Sequence, residues 1–312
     1  MRRIDAAGVH AALDYAALVD RLELMFRRGC VLPVRHHHSM KTPDGPDATL
    51  LLMPAWQVGG HFGVKMVTVF PGNAARSLPA VMGLYLLGDA NTGTPLALID
   101  GPSLTVRRTA SASALASRYL SRADAGTMLM VGTGALAPHL IGAHASQRPI
   151  RKVLIWGRDP AKAAALAASF KGTPFSASVA TDLEAAVRGA DIVSCATLSR
   201  EPLVKGAWLK PGAHLDLVGA FTPDMRESDD EAVRRSSVFV DTSAGALKEG
   251  GDIVQPLKSG ILKPESVLAD LFELTRGEKK GRQRSDEITL FKSVGSALED
   301  LAAAELAVER AA

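Results

Sequence analysis

The spacing of apolar and polar residues predicts one helix and a set of strands in the N-terminal part of the chain. Apolar residues recur at helical spacing over residues 14–28, where Asp14 can cap the helix and Gly29 can end it. Turn-forming residues separate the strand-like runs that follow, and the link between the last two is typical of a hairpin. These runs lie at residues 50–53, 62–70, 81–89 and 95–100. We therefore predict an α+β region with a mostly antiparallel sheet.

A different pattern begins at residue 127, where short apolar strands alternate with alanine-rich helices. The predicted strands are TMLMV, KVLIW, DIVSCAT, HLDLV, VFVD and ITLF. Residues 181–187 are predicted to form a helix, because Thr181 and Glu184 have capping-box spacing, and residues 296–309 form a long final helix. Alternation of this kind is typical of βαβ units. The predicted fold class is therefore α/β, with a doubly wound parallel sheet.

Composition and charge narrow the possible partners. The 312 residues have a formal net charge of +3, which gives no indication of a nucleic-acid partner. No apolar run reaches the roughly 18–20 residues of a membrane helix, and we see no signal peptide. Cys30 and Cys195 are interpreted as reduced structural thiols, which fits a cytoplasmic location. The densest basic run, residues 276–282, is expected to lie in solvent.

A glycine motif after the TMLMV strand carries the clearest chemical signal. Gly132, Gly134 and Ala137 have G-x-G-x-x-A spacing between a predicted strand and a predicted helix. The first glycine permits a tight turn, and the second lets the backbone approach a pyrophosphate at the positive end of the helix. The motif therefore predicts a dinucleotide site.

The end of the next strand bears on which dinucleotide binds. An NAD site usually has an acidic residue there for the ribose diol, but here Gly157 and Arg158 follow the strand. A guanidinium suits the 2′-phosphate of NADP(H). Asp159 is the competing ribose ligand, yet it precedes Pro160 and is better interpreted as a helix N-cap. We predict that NADP(H) is preferred, with NAD(H) as the alternative.

Three cations of the N-terminal part are candidate ligands of an anion. Arg35, Lys65 and Arg108 taken singly are most simply solvated charges, although a lysine within a strand is unusual. Taken together, near the start of the nucleotide region, they could clamp a carboxylate. The histidines at 36–38 leave a metal site as an alternative, but neighbouring residues of a strand point to opposite faces. We treat them as structural and predict no metal.

Several segments, in order, resemble the ornithine cyclodeaminase/mu-crystallin family over nearly the whole chain. They are GVKMVTVFPGN, VRRTASASALA, VGTGALA, GALKEGGDIV and ITLFKSVGSALEDLAAA. The resemblance implies a Rossmann domain at residues 116–294 and a substrate-binding and dimerisation domain formed by residues 1–115 and 295–312. It also implies a homodimer.

The resemblance also implies roles for individual residues. Arg35, Lys65 and Arg108 match the ligands of the substrate carboxylate, and Glu249 matches a glutamate near the substrate pocket. The 2′-phosphate turn of mu-crystallin-like members resembles Trp156–Arg158. Family positions at the cofactor fall on Thr109, Gly132, Thr133, Gly134, Ala135, Leu136, Thr197, Val218 and Ser293.

One position separates the reactions that the family performs. Cyclodeaminases have an acid/base aspartate in a G-x-D-x-P pattern, and this sequence has Phe221 there, in GAFTP. A phenyl ring cannot transfer a proton, whereas an apolar wall suits a small ring. The segment resembles mu-crystallin-like members, which are NADPH-dependent ketimine reductases. We therefore predict reduction of Δ1-pyrroline-2-carboxylate, and of Δ1-piperideine-2-carboxylate as a further substrate, to L-proline and L-pipecolate.

Lys65 is the predicted catalytic residue, as the best candidate among the three cations to polarise the imine or relay a proton. The alternatives within the family are an ornithine cyclodeaminase and an alanine dehydrogenase. A further alternative is a non-catalytic protein that binds NADPH and small ligands. The sequence leaves the ring size of the substrate open.

Overall fold

The structure is a computed structural model that describes residues 1–43 and 45–311, without the side chain of residue 74. The chain divides into two units, which are Met1–Thr109 with Ala297–Ala312, and Ala110–Ser296. The first unit thus draws on both ends of the chain. The functions assigned to the two domains, and the boundaries placed at 115/116 and 294/295, stay predictions.

Within the described residues, the first unit contains a six-stranded sheet with the order β1-β6-β5-β4-β3-β2. Its strands are β1 (Arg2–Ile4), β2 (His36–Met40), β3 (Ala48–Trp56), β4 (His61–Val69), β5 (Val81–Asp89) and β6 (Pro95–Asp100). Neighbouring strands from β2 to β6 pair antiparallel, as predicted, and β1 pairs parallel to β6. The helices are α1 (Ala6–Ala12), α2 (Tyr15–Arg28), the start of α3 (Gly101–Leu120) and α11 (Ala297–Arg310).

Helix α2 forms for the reasons that the sequence indicated. The Asp14 carboxylate accepts a hydrogen bond from the amide of Ala17, and Gly29 ends the helix with a positive φ of 77°. The helix packs against α11, which in turn covers β3, β4 and β5. One face of the sheet is therefore buried under α11, and residues that alternate along the strands point away from it.

The second unit has an eight-stranded parallel sheet, counted over the described residues, with the order β13-β12-β14-β11-β10-β7-β8-β9. Its strands are β7 (Thr127–Val131), β8 (Lys152–Trp156), β9 (Ser176–Val179), β10 (Ile192–Cys195), β11 (His214–Leu217), β12 (Ser237–Val240), β13 (Val267–Asp270) and β14 (Thr289–Lys292). Strand order reverses between β7 and β10. The crevice outside the carboxyl ends of the strands at such a point is where doubly wound sheets bind ligands.

Helices connect these strands on both sides of the reversal. They are α4 (Ala137–Gln147), α5 (Pro160–Ala168), α6 (Leu183–Gly189), α7 (Asp230–Arg235), α8 (Ser243–Glu249), α9 (Gly251–Lys258) and α10 (Leu271–Arg276). The predicted fold class, a doubly wound α/β sheet with a second α+β unit, is confirmed. No helix of the part of the chain that the structure describes is long and apolar enough to cross a membrane.

One local prediction was wrong, and a second holds except at the end of its segment, since residues 276–280 are exposed as predicted. Helix α6 is capped by Asp182, whose carboxylate accepts from the amide of Ala185, and not by the predicted box of Thr181 and Glu184. An ionised cap one residue later is favoured by the positive end of the helix. In the basic run 276–282, Arg282 does not lie free in solvent, because its guanidinium donates to the carbonyls of Leu120 and Ala213.

Candidate active site

The lysine that looked out of place in a strand lies in a buried ion pair. Lys65 is in the middle of β4, directly opposite Tyr85 of β5, and is 3% exposed. Its Nζ lies 2.7 Å from the Asp300 carboxylate. Asp300 belongs to the first turn of α11, where the positive end of the helix favours a carboxylate. The buried charge is therefore paired, as burial requires.

Arg108 shares this carboxylate. Its Nε donates to Asp300 over 3.0 Å, and a terminal nitrogen donates to Glu299 over 2.6 Å. Both carboxylates are buried at 0% exposure, and Arg108 is 6% exposed. Two cations and two carboxylates thus form a buried charged cluster, which we call the Asp300 cluster: Lys65, Arg108, Glu299 and Asp300.

The surroundings of Lys65 change its proton affinity. Burial, and after it the positive charge of Arg108, lowers the pKa of Lys65 to about 8, although Asp300 opposes both effects. A lysine with a pKa near 8 can hold an anion and can also release a proton near neutral pH. This electrostatic setting is compatible with the catalytic role predicted for Lys65.

Tyr85 is a buried neighbour of the Asp300 cluster that the sequence did not indicate. Its side chain is fully buried, and its hydroxyl has no hydrogen-bond partner among the residues that the structure describes. Burial raises the pKa of Tyr85 well above its ordinary value, and the charges of Asp300 and Glu305 add to this. Tyr85 is therefore neutral and available as a hydrogen-bond donor.

The other predicted substrate ligands lie at separate places in the fold. Arg35 is half-buried between α2 and β2, in the same unit as the cluster. Phe221 and Glu249 belong to the second unit. Phe221 follows β11 and is 51% exposed, and Glu249 is the last residue of α8. The part that these three residues play in substrate binding stays a prediction.

The predicted glycine turn connects β7 to α4. Gly132 has a φ of 116°, a conformation that L-residues rarely adopt, and an added Cβ would lie 2.6 Å from the carbonyl oxygen of Ala196. Gly134 has open space around the position of a Cβ. Thr133 to Leu136 form the loop between strand and helix, so that a pyrophosphate held there would meet the positive end of α4.

The end of β8 lies beside this turn. The Gly132 amide donates to the carbonyl of Trp156, and an added Cβ on Gly157 would lie 2.8 Å from the Thr133 side chain. The carboxylate of Asp159 accepts from the amide of Ala161 over 3.0 Å, which confirms it as the N-cap of α5. Arg158 is exposed at this strand end. The turn fits a dinucleotide, and the role of Arg158 at the adenosine ribose stays a prediction.

The remaining predicted cofactor residues lie at further strand ends or in α3. Thr197 follows β10, Val218 follows β11 and Ser293 follows β14, at the carboxyl edge of the parallel sheet. Val218 and Ser293 are buried. Thr109 is a buried residue of α3 and the last residue of the first segment of its unit. Their contacts with a cofactor stay predictions.

The three histidines lie exposed on β2, an edge strand of the first sheet. His36 and His38 share a face, with ring centroids 6.3 Å apart. Over residues 1–43 and 45–311, no group of three or more His, Cys, Asp or Glu residues is arranged to hold a metal ion.

Comparison with known proteins places the chain in one family and finds similar reductases. The sequence profile of the ornithine cyclodeaminase/mu-crystallin family matches residues 5–312. A Δ1-pyrroline-2-carboxylate reductase of Paracoccus denitrificans is 42% identical over 257 residues, which are 82% of this chain and 81% of the relative.

Two solved structures extend the similarity to the fold. The first is a Δ1-pyrroline-2-carboxylate reductase of Thermococcus litoralis in complex with NADH and L-proline. It has a TM-score of 0.92 at 34% identity, covering 100% of this chain and 97% of that one. The second is an archaeal alanine dehydrogenase dimer with bound NAD, with a TM-score of 0.89 at 29% identity, covering 100% and 96%.

Proposed function

Because the chain belongs to the ornithine cyclodeaminase/mu-crystallin family, we propose that this NAD(P)H-dependent oxidoreductase of C=N bonds reduces Δ1-pyrroline-2-carboxylate to L-proline. The observation that carries the proposal is the Asp300 cluster, in which one carboxylate holds both Lys65 and Arg108. The bound dinucleotide would supply a hydride for the imine carbon. The residues of this chain would hold the substrate and provide the proton.

The Asp300 cluster suits a substrate that carries both a carboxylate and a protonated imine. Its two cations and two carboxylates balance, so a bound anion alone would leave a net negative charge in a buried place. A ring with a carboxylate and an iminium nitrogen is neutral overall and adds no such charge. Arg108 and Lys65 would hold the substrate carboxylate from within the cluster, and Arg35, which is half-buried and outside the cluster, would be a further ligand of it.

When the ring enters as the neutral imine, the proton that makes it an iminium before hydride transfer can come from a group of the same unit as the cluster. Lys65 has a pKa lowered to about 8, so it gives up a proton more readily than an ordinary lysine. Phe221 stands where the cyclodeaminase pattern has its acid/base aspartate. An aromatic ring there supports ring reduction over deamination, because it offers no group to accept the proton of an amine.

The assay that tests the proposal measures oxidation of NADPH and of NADH with a panel of substrates. We expect turnover with Δ1-pyrroline-2-carboxylate, and Δ1-piperideine-2-carboxylate tests whether a larger ring is accepted. Release of ammonia from L-ornithine with NAD⁺ would make the protein a cyclodeaminase, and amination of pyruvate would make it an alanine dehydrogenase. Binding of the dinucleotide without turnover of any substrate would leave a non-catalytic binding protein.

The preference for NADP(H) depends on Arg158. We expect Arg158→Ala to lower kcat/KM for NADPH by roughly 10- to 100-fold, since a charge-assisted contact to the 2′-phosphate is lost, and to leave kcat/KM for NADH unchanged. Arg151→Ala is the matched control, because this exposed arginine precedes the opposite end of the same strand. Equal losses with both dinucleotides would contradict the assignment.

The charge of Lys65 should appear in the pH profile. Lysine is charged below its pKa, so we expect kcat/KM for the imino acid to fall as the pH rises above about 8. Lys65→Arg keeps its charge over this range, because the guanidinium pKa lies above about 12. The variant should have a lower kcat/KM than the wild type, but its kcat/KM should decrease less as the pH rises above about 8. Deprotonation of the imine itself affects both proteins equally, so identical profiles would contradict the assignment.

We also propose that the protein is a homodimer in the cytoplasm. The face of the first sheet that points away from α11 carries half-buried or exposed apolar side chains: Leu50, Leu52, Val64, Met66, Met82 and Leu84. A second copy covering this face would remove apolar surface from water. Light scattering should give a mass near twice 32.8 kDa, and a monomer at micromolar concentration would contradict the proposed dimer.

The cytoplasmic location is proposed from the cysteines. Cys30 and Cys195 are both free, and free thiols suit a reducing compartment.

A further inference from the structure

A fully buried carboxylate joins the ends of two central strands of the parallel sheet. Glu227 lies between β11 and α7 and is 0% exposed. Its Oε1 accepts from the amide of Thr197 over 2.7 Å and from the Thr197 hydroxyl over 2.8 Å. Its Oε2 accepts from the amides of Gly219 over 2.7 Å and Ala220 over 3.3 Å. One side chain thus holds the residues that follow β10 and β11.

A second carboxylate extends this connection to β14. Asp252, also fully buried, accepts from the amides of Glu227 over 2.9 Å and Ser228 over 3.1 Å. Its other oxygen lies 3.3 Å from Nζ of Lys292, the last residue of β14. The loop that carries Glu227 is therefore fixed at its backbone as well as through its side chain.

Burying the carboxylates of Glu227 and Asp252 costs free energy, so packing alone does not explain why they are there. Burial raises the pKa of Glu227 to about 7, and the charge of Lys292 opposes this rise. An apolar side chain of similar volume would fill the same space without the desolvation cost. All four donors to Glu227 lie within three residues of the ends of β10 and β11. The carboxylate therefore fixes the position of the segments that leave these two strands.

These strand ends adjoin the dinucleotide turn. Ala196, next to Thr197, has its carbonyl close enough to Gly132 to exclude a Cβ there. Dinucleotides bind across the crevice of a doubly wound sheet, with one half on each side of the reversal in strand order. Arg158 at the end of β8 marks the adenosine side. The nicotinamide half would then lie on the side of β10 and β11.

We propose that Glu227 is a positioning residue for the nicotinamide half of the cofactor, acting through Thr197 and the strand ends that it holds. The inference rests on the proposed function, since it assumes that the second unit binds a dinucleotide. Glu227 itself would not contact the cofactor. Its carboxylate sets where the backbone after β10 and β11 meets the nicotinamide and its ribose.

The test compares Glu227→Gln with the wild type for two ligands. Glutamine keeps the shape but replaces one acceptor oxygen by an NH₂ group, which would face the amide donors of Thr197 or of Gly219. We expect the Kd of NADPH to rise about tenfold, the scale of one lost buried hydrogen bond. Adenosine 2′,5′-bisphosphate represents the adenosine half alone. We expect its Kd to stay within about twofold of the wild-type value, which corresponds to well under 1 kcal/mol of binding free energy.

Asp191→Asn is the matched control. This carboxylate also accepts from two backbone amides, those of Gly126 and Thr127, each over 2.9 Å, but at the amino-terminal edge of the same sheet. The variant should lower the melting temperature and leave both dissociation constants unchanged. If Glu227→Gln does not fold, Glu227→Asp serves in its place, because the shorter carboxylate reaches only one of the two strand ends.

The outcomes separate the inference from the proposed function. A wild-type protein that binds neither NADPH nor NADH would contradict the proposed function, and a wild type that binds only NADH would be tested in the same way with NADH and adenosine 5′-monophosphate as the two ligands. With a wild type that binds both ligands of the test, equal losses for the two ligands would mean that Glu227 acts on the whole domain, and unchanged affinities would mean that it positions nothing. Either result overturns the inference, and a loss confined to the dinucleotide supports it.

Discussion

Arg108→Ala is expected to abolish most of the activity. The guanidinium is one of two buried cations that would hold the substrate carboxylate, and truncating a partner of a buried charge pair costs about 2–5 kcal/mol, so kcat/KM should fall by roughly 30- to 5000-fold. The same change leaves Asp300 and Glu299 buried with Lys65 as the remaining cation of the cluster. We therefore also expect a loss of about 3–5 kcal/mol in folding free energy.

Two further variants separate substrate binding from stability. Arg108→Lys keeps a positive charge near Asp300 but loses the planar fork that pairs with two carboxylates, so it should fold and show a raised KM for the imino acid. Arg107→Ala is the control from the same helix, because Arg107 contacts His10 and the Tyr15 ring. Its kcat/KM should stay within about twofold, as is usual for changes away from the site. Activity in Arg108→Ala close to that of the wild type would contradict the carboxylate clamp.

Gly132→Ala is expected to remove dinucleotide binding. The φ of 116° at this position is strained for any L-residue, and the added Cβ would lie 2.6 Å from the Ala196 carbonyl oxygen. The turn can relieve this overlap only by moving the backbone that meets the pyrophosphate. We expect the Kd of NADPH, measured by titration of its fluorescence, to rise by more than about 100-fold, equivalent to about 2.7 kcal/mol.

The glycines of the same unit provide graded controls. Gly134→Ala adds a Cβ in open space, so the protein should keep its melting temperature, yet the methyl group would stand where the backbone approaches the pyrophosphate and should weaken binding. Gly189→Ala, at the end of α6, also adds a Cβ in open space and lies in no predicted site. It should leave the Kd unchanged. NADPH affinity in Gly132→Ala equal to that of the wild type would contradict the assignment of the turn.

Local patterns in the sequence were sufficient to predict most of the fold. The helix over residues 14–28 with its Asp14 cap, the antiparallel strands and the alternating βαβ units are confirmed, because each depends on neighbouring residues or on a regular period. The predicted family and class of enzyme are also confirmed. The cap of α6 was assigned one residue early, since Thr181 and Asp182 are both good capping residues and the spacing favoured the first.

The charged partners in the site could not be found in this way. Lys65 indicated a buried partner by its place in an apolar strand, but its partner Asp300 lies at the other end of the chain, on a helix whose charges resemble an ordinary polar face. Glu227 gave no signal either, because its donors come from two strand ends brought together only by the parallel sheet. Non-local pairs of this kind require the tertiary structure.

The fate of the hydride tests the central claim most directly. The protein would be incubated with Δ1-pyrroline-2-carboxylate and reduced dinucleotide that carries deuterium at C4 of the nicotinamide, and the product analysed by mass spectrometry and chiral chromatography. We predict L-proline with one deuterium at Cα, formed without release of ammonia. Absence of labelled proline from the ring substrate, together with ammonia and proline formed from L-ornithine, would contradict the account.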